Sequence, residues 1–204
     1  MKLTEIQTDA LEELGNIGAA HAATTLSQML MSNIEMDVPA VDIIDIADFY
    51  QNVGDEKVAL VVFRIKGEVA GEGFVVMLMP LKSAIRMTNT MLGMGDTERE
   101  ITEMDESAII EIGNIMVSAF LDATAGLLGI VMLPSPPSLC IDMGHAGLEA
   151  LIAEVATDTN DVVVFRTKLT SGQHAIDGTI LMFLTPEMLE NLLNLLEALT
   201  SQGI

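Results

Sequence analysis

The feature that most limits what this chain can fold into is an internal duplication. Residues 4–39 match residues 102–137 at a constant offset of 98. Thr4 and Glu5 align with Thr102 and Glu103, and Glu13 aligns with Glu111. Gly15-Asn16-Ile17 aligns with Gly113-Asn114-Ile115, and Pro39 with Pro137. Further on, Phe63-Arg64 echoes Phe165-Arg166, and Pro80 echoes Pro186, with small insertions. The chain of 204 residues therefore divides into halves of roughly 1–98 and 99–204. No Ser/Gly-rich linker separates them, so one fused domain with pseudo-two-fold symmetry is expected.

Each half carries the same succession of signals. Residues 4–31 read as a helix that opens on the capping box Thr4-x-x-Gln7. Ile6, Ala10, Leu14, Ile17 and His21 give it a mostly apolar stripe at helical spacing. Extended structure is expected at 38–46, strands at 57–66 and 68–79 with Gly67 as the turn, and a helix at 81–92. The second half predicts a helix at 103–128, a short helix at 146–155 and strands at 162–169 and 175–184. A last helix at 186–199 opens on Pro186. The fold class is α/β, with the strands of both halves in one central sheet. The two long helices lie outside it and present sites on opposite sides of the molecule.

Asp9, Glu13 and Asn16 are spaced i, i+4 and i+7, which sets them within about 60° of one another on a helix. Ser107, Glu111 and Asn114 repeat the spacing. Asparagine and glycine are both poor helix formers, and glycine costs about 1 kcal/mol against alanine. A purely structural helix has no reason to make that choice twice. Gly15 and Gly113 remove a side chain, so another backbone could approach. An amide can accept one hydrogen bond and donate two, which suits it to orienting a water molecule. A carboxylate one turn away can pair with a partner's lysine.

The doubled pattern [Asp/Ser]-x3-Glu-x2-Asn-x22-Pro resembles the signature of the CheC family of chemotaxis phosphatases, related to CheX and to the switch protein FliY. It reads Asp9, Glu13, Asn16, Pro39 and again Ser107, Glu111, Asn114, Pro137. The resemblance covers almost the whole chain. It departs from many relatives after Gly18, where Ala19-Ala20-His21-Ala22 stands in place of Ala-Gly-Asn-Ala.

The resemblance implies a CheC-like duplicated fold and hydrolysis of the phospho-aspartate on the response regulator CheY. Asn16 and Asn114 would position the attacking water. Glu13 and Glu111 would pair with the regulator's active-site lysine and fix the docking register. Asp9 and Ser107 would support the local geometry, and Pro39 and Pro137 would shape the chain after each helix. No cofactor of its own is implied; magnesium would sit on the regulator. Phosphorylated CheY is the implied substrate and the receptor deamidase CheD a further implied partner. The alternative implied role is a non-catalytic adaptor that binds and regulates CheD. A flagellar-switch role ranks third, because the chain leaves no room for the extra domain of FliY-like proteins.

Charge narrows the remaining options. Nine basic against 30 acidic residues give a net charge of −21. That argues against nucleic acid, which needs a basic footprint, and against anionic lipid. The uncharged stretch 123–141 contains Pro134, Pro136 and Pro137 and would not hold a membrane-spanning helix. The N-terminus shows no secretory pattern, so the cytoplasm is the expected location. Acid excess with few lysines also suits concentrated salt, where self-repulsion is screened.

Weaker signals have plainer readings. His21, His145 and His174 match no metal-ligand spacing, and His21 is expected to be partly buried. Asp42, Asp45 and Asp48 lack the glycine and terminal glutamate of a calcium loop and read as a solvated acidic face. Cys140 in a strand-like run is expected to be buried.

Overall fold

The protein's structure, a computed structural model, describes residues 3–37, 40–45, 56–95, 98–144, 146–149 and 161–201. In chain order these form α1 (Glu5–Leu30), β1 (Glu35–Met36), β2 (Ala40–Asp45), β3 (Lys57–Gly67), β4 (Gly73–Pro80) and α2 (Leu81–Met91). Then come α3 (Glu103–Leu128), β5 (Met132–Pro134), β6 (Ser138–Met143), β7 (Asp161–Ser171), β8 (Ile176–Leu184) and α4 (Pro186–Ser201). Among the described residues, a long helix, four strands and a closing helix thus occur in each half, with a short helical stretch added between β6 and β7 in the second. Within the expected short helix at 146–155, residues 146–149 are helical and the rest lie outside the described residues. The predicted hairpin at Gly67 is longer than expected, because β4 begins only at Gly73.

Both long helices start for the same local reason. The Gln7 amide donates to Thr4 Oγ1 at 3.3 Å, and the Thr4 amide donates to Gln7 Oε1 at 3.1 Å. In α3 the Asp105 amide donates to Thr102 Oγ1 at 3.4 Å, and the Thr102 amide donates to Asp105 Oδ2 at 2.8 Å. Both helices end on a left-handed residue, Met31 at φ 47° and Gly129 at φ 66°.

The eight strands form one antiparallel sheet in the order β1-β7-β8-β4-β3-β5, with β2 also on β7 and β6 also on β3. The halves are interleaved: β1 and β2 complete the edge beside β7, and β5 and β6 complete the edge beside β3. Each of these edge strands is broken by one extra residue. From Met36 to Ala40 the chain advances four residues while its partner moves three, from Leu169 to Arg166. From Pro134 to Ser138 it again advances four while β3 moves three, from Ile65 to Val62. Such a bulge suits proline, which has no N–H to give to a ladder. Pro137 occupies the second break; Pro39 lies outside the described residues.

The pairing corrects one part of the sequence alignment. Met36 faces Leu169 and its repeat equivalent Pro134 faces Ile65, so β7 follows β3 by 104 residues. Phe165-Arg166 therefore occupies the place of Val61-Val62, two residues from Phe63-Arg64. A slip of two keeps every side chain on its face, so the sequence echo survived it.

Side chains alternate to two cores. Ala59, Val61, Phe63, Val75, Met77, Met79, Phe165 and Met182 pack with α1, α2, α3 and α4 on one face. The two long helices thus lie side by side on the same face of the sheet, against the expected placement on opposite sides of the molecule, because they pack on each other, Gly18 of α1 against the Phe120 ring of α3. Val58, Leu60, Phe74, Val76, Val164, Leu181 and Phe183 form a smaller cluster on the other, covered by Leu148. Burial on both faces explains why β3, β4 and β8 read as near-continuous apolar runs. The helix α3, apolar enough in length and composition to cross a membrane, spends that apolarity on the larger core.

Candidate active site

The helix α1 buries Leu11, Leu14, Gly15, Gly18, Ala19, Ala22, Leu26 and Leu30. This stripe is turned by about 120° from the predicted one, of which only Leu14 is buried. Ile6 is exposed, and so is His21, against expectation. The reason is size. The small residues Gly15, Gly18, Ala19 and Ala22 form the side that can lie close to neighbours, and bulk alone had pointed to a different side. A Cβ on Gly18 would fall 2.6 Å from the Phe120 ring of α3. At Gly113 a Cβ would meet Phe63 and Val61 of β3 at 3.3 Å. The motif glycine of α3 thus admits sheet side chains rather than another backbone.

This rotation sets the motif residues facing outward. Asp9, Glu13 and Asn16 lie roughly 140° from the centre of the buried stripe of α1. Ser107, Glu111 and Asn114 lie likewise roughly 140° from the centre of the buried side of α3. Asp9, Glu13, Ser107 and Glu111 are exposed, while Asn16 and Asn114 are half-buried. Among the described residues, neither amide and neither glutamate has a hydrogen-bond or ion-pair partner. The Ser107 hydroxyl donates to the Glu103 carbonyl of its own helix at 3.0 Å. Two carboxylates and two amides therefore stand on the outward faces of the two helices, without a protein partner among the described residues.

Pro137 is half-buried in the break between β5 and β6. Beside it Ser135 repairs the bulge: its amide donates to the Arg64 carbonyl at 2.8 Å, and its Oγ accepts from the Arg64 amide at 3.0 Å.

The sequence reading missed a buried ionic network at the root of α3. The Asp105 side chain is fully buried and forms a two-pronged ion pair with Arg99. It also accepts from Thr88 Oγ1 and Thr102 Oγ1, both at 2.7 Å, while Arg99 Nε donates to Asn89 Oδ1 at 2.9 Å. The Arg99 guanidinium holds the Asp105 carboxyl well below the usual carboxylate range, with the Thr102 and Thr88 hydrogen bonds adding to it. The equivalent residue of α1 is Gln7, so the two motif helices are anchored differently. The spacing Thr102-x-x-Asp105, matching Thr4-x-x-Gln7, was the available signal for the cap; nothing local marked Arg99 as its partner.

The remaining candidates lie elsewhere. No group of three or more His, Cys, Asp or Glu residues is arranged to hold a metal among the described residues. Asp42 is exposed on β2; Asp48 and His145 lie outside the described residues. Cys140 is exposed on β6, against expectation: its neighbours Leu139 and Ile141 turn to the larger core, so Cys140 points to the other face at a strand paired, among the described residues, with β3 alone. A cleft of about 490 Å³ between α2 and the β7–β8 turn is lined by Arg86, Asn89, Thr90, Gln173 and His174, with no motif residue in its wall.

Comparison with known proteins gives a consistent pattern. The model of the CheC-like family matches residues 6–43 and 104–141, two stretches 98 residues apart. The chain is 30% identical over 191 residues to the CheY-P phosphatase CheC of Bacillus subtilis, covering 91% of this chain and 90% of the relative. Its fold is similar to that of FliY of Thermotoga maritima, with a TM-score of 0.79 at 22% identity, covering 97% of this chain and 99% of that one. It is also similar to a chain in the CheX-CheY-BeF3-Mg+2 complex of Borrelia burgdorferi, with a TM-score of 0.57 at 15% identity, covering 83% and 97%.

Proposed function

The chain belongs to the CheC-like family, and from that premise we propose that it is a protein phospho-aspartate phosphatase acting on the response regulator CheY. One observation carries the reading: the exposed glutamate and partner-free, half-buried asparagine recur on the outward faces of α1 and α3. We read the chain as one domain of two repeats, at work in the cytoplasm.

In this reading the regulator docks on either helix. Glu13 or Glu111 pairs with its active-site lysine and fixes the register. The amide of Asn16 or Asn114 holds a water in line with the phosphoryl group. The water oxygen forms a new bond to phosphorus, the bond to the aspartyl oxygen breaks, and the regulator's aspartate leaves as a carboxylate. Any magnesium belongs to the regulator, where it would neutralise charge on the phosphoryl oxygens. Such a reaction needs positioning and charge stabilisation more than a covalent nucleophile. A hundredfold acceleration requires about 2.7 kcal/mol, within reach of one well-placed side chain. Asp9 and Ser107 support the local geometry, and Pro39 and Pro137 shape the chain after each helix.

The test is phosphate release from phosphorylated CheY. Glu13→Ala/Asn16→Ala, Glu111→Ala/Asn114→Ala and the quadruple variant are compared with wild type. Acceleration by wild type that is lost in the quadruple variant supports the reading, and the two double variants apportion it between the sites. An inert wild type, with and without CheD present, would overturn it. Binding to CheD that survives the quadruple substitution would then favour the adaptor role.

A further inference from the structure

Two large apolar side chains are exposed at equivalent places in the repeat. Ile6 is 80% exposed on α1 and Met104 is 64% exposed on α3, and they are 98 residues apart. A single exposed hydrophobic residue needs no explanation. A pair at the same repeat position does, because neither side chain belongs to the core that the helices share. Neither packs against the core cluster. Both sit at the second helical position, outside the places that form a hydrophobic staple. Those places hold Leu3 and Thr8 in α1, and Ile101 and Glu106 in α3. Isoleucine is also a mediocre helix former, so local propensity does not account for it.

Their position is informative. Ile6 precedes Glu13 by seven residues and Met104 precedes Glu111 by seven. Two helical turns bring them back to within about 20° of the glutamate, about 10 Å toward the helix N-terminus. Each motif face therefore carries, within about 80° of arc, an apolar side chain, Asp9 or Ser107, the glutamate and the asparagine.

We propose that Ile6 and Met104 are the apolar anchors by which each site holds its phosphorylated receiver domain, the anchor seating against an apolar spot about 10 Å from the regulator's lysine. The proposal rests on the phosphatase reading and extends it. The anchors continue the same outward faces that carry the glutamate and asparagine. A carboxylate and an amide alone give a contact that water competes with, whereas one desolvated apolar residue can dominate a small, transient interface. Because the anchors lie away from the reacting atoms, they act on docking rather than on the chemical step.

The experiment isolates one site at a time. In a Glu111→Ala/Asn114→Ala background, Ile6→Ser and Ile6→Met are compared. In a Glu13→Ala/Asn16→Ala background, Met104→Ser and Met104→Ile are compared. The serine variants are expected to raise KM for phosphorylated CheY about tenfold with kcat within about twofold. The swapped apolar residues are expected to restore it. Binding to beryllofluoride-activated CheY, measured by calorimetry, should weaken by a similar factor. An unchanged KM and an unchanged affinity in the serine variants overturn the anchors while the phosphatase reading stands. If wild type is inert, the calorimetry decides: weaker binding in the serine variants supports the anchors alone, and equal or absent binding overturns them. A shift in oligomeric state by sedimentation, with KM unchanged, would assign the pair to self-contact and also overturn the proposal.

Discussion

Asp105 shows how much one residue can hold. Its carboxylate is fully buried, paired with Arg99 and bonded to both threonines. Removing one partner of a buried ion pair leaves an uncompensated charge, at a cost of about 3 kcal/mol. Asp105→Ala is therefore expected to lower stability by about that amount in urea unfolding. The pH dependence has a definite sign. The folded carboxyl titrates below its unfolded value, so its contribution is complete above about pH 5 and is lost as pH falls through the acid range. Asp105→Asn should therefore narrow its stability gap to wild type as pH drops from about 5 toward 2. A gap that stays constant over that range would refute the assignment. Ile6 and His21, both exposed, teach the reverse lesson: a side chain's nature does not by itself say which way it faces.

Among the elements, α1 and α3 share one design and differ in how it is packed. Gly18 lets the Phe120 ring lie on α1, while its repeat equivalent is Met116 and that of Phe120 is Ala22. Bulk thus stands on one helix where the other is hollow. An alanine at Gly18 would gain about 1 kcal/mol of helix propensity but would intrude on a buried ring, which costs about 1–3 kcal/mol. Gly18→Ala is expected to be net destabilising. Gly113→Ala should cost less, since its neighbours stand at 3.3 Å and can give by a few tenths of an ångström. Thermal or urea midpoints of the two variants check the order. The existence of these helices was legible in advance, because caps and 3.6-residue spacing are local. Which stripe is buried was not, because it depends on small residues whose value lies in what packs against them.

At the scale of the whole molecule the two halves cannot be separated without loss. Each lends its first two strands to the edge of the other's hairpin, and β4 pairs with β8 across the centre. The net charge of −21 acts over this whole body. It repels itself and would slow the approach of an acidic partner. Salt shortens the Debye length to about 3 Å near 1 M, while the buried Arg99–Asp105 pair is screened much less. Stability and kcat/KM toward phosphorylated CheY are therefore both expected to rise with salt up to about 1 M. Loss of structure on adding salt would contradict this.

The amino-acid order alone determined the duplication, the paired glutamates and asparagines, and the long helices with their cap at Thr4. It also determined the face parity of the strands, which survived a two-residue slip between β3 and β7. All of these are fixed by spacing along the chain. The tertiary structure alone decided the exchange of edge strands, the matching bulges at Pro137 and before Ala40, and the turned stripe of α1. It also decided the burial of Asp105 against Arg99 and the exposure of Cys140. Each of these depends on which distant segment arrives beside which, and no local pattern of residues carries that information.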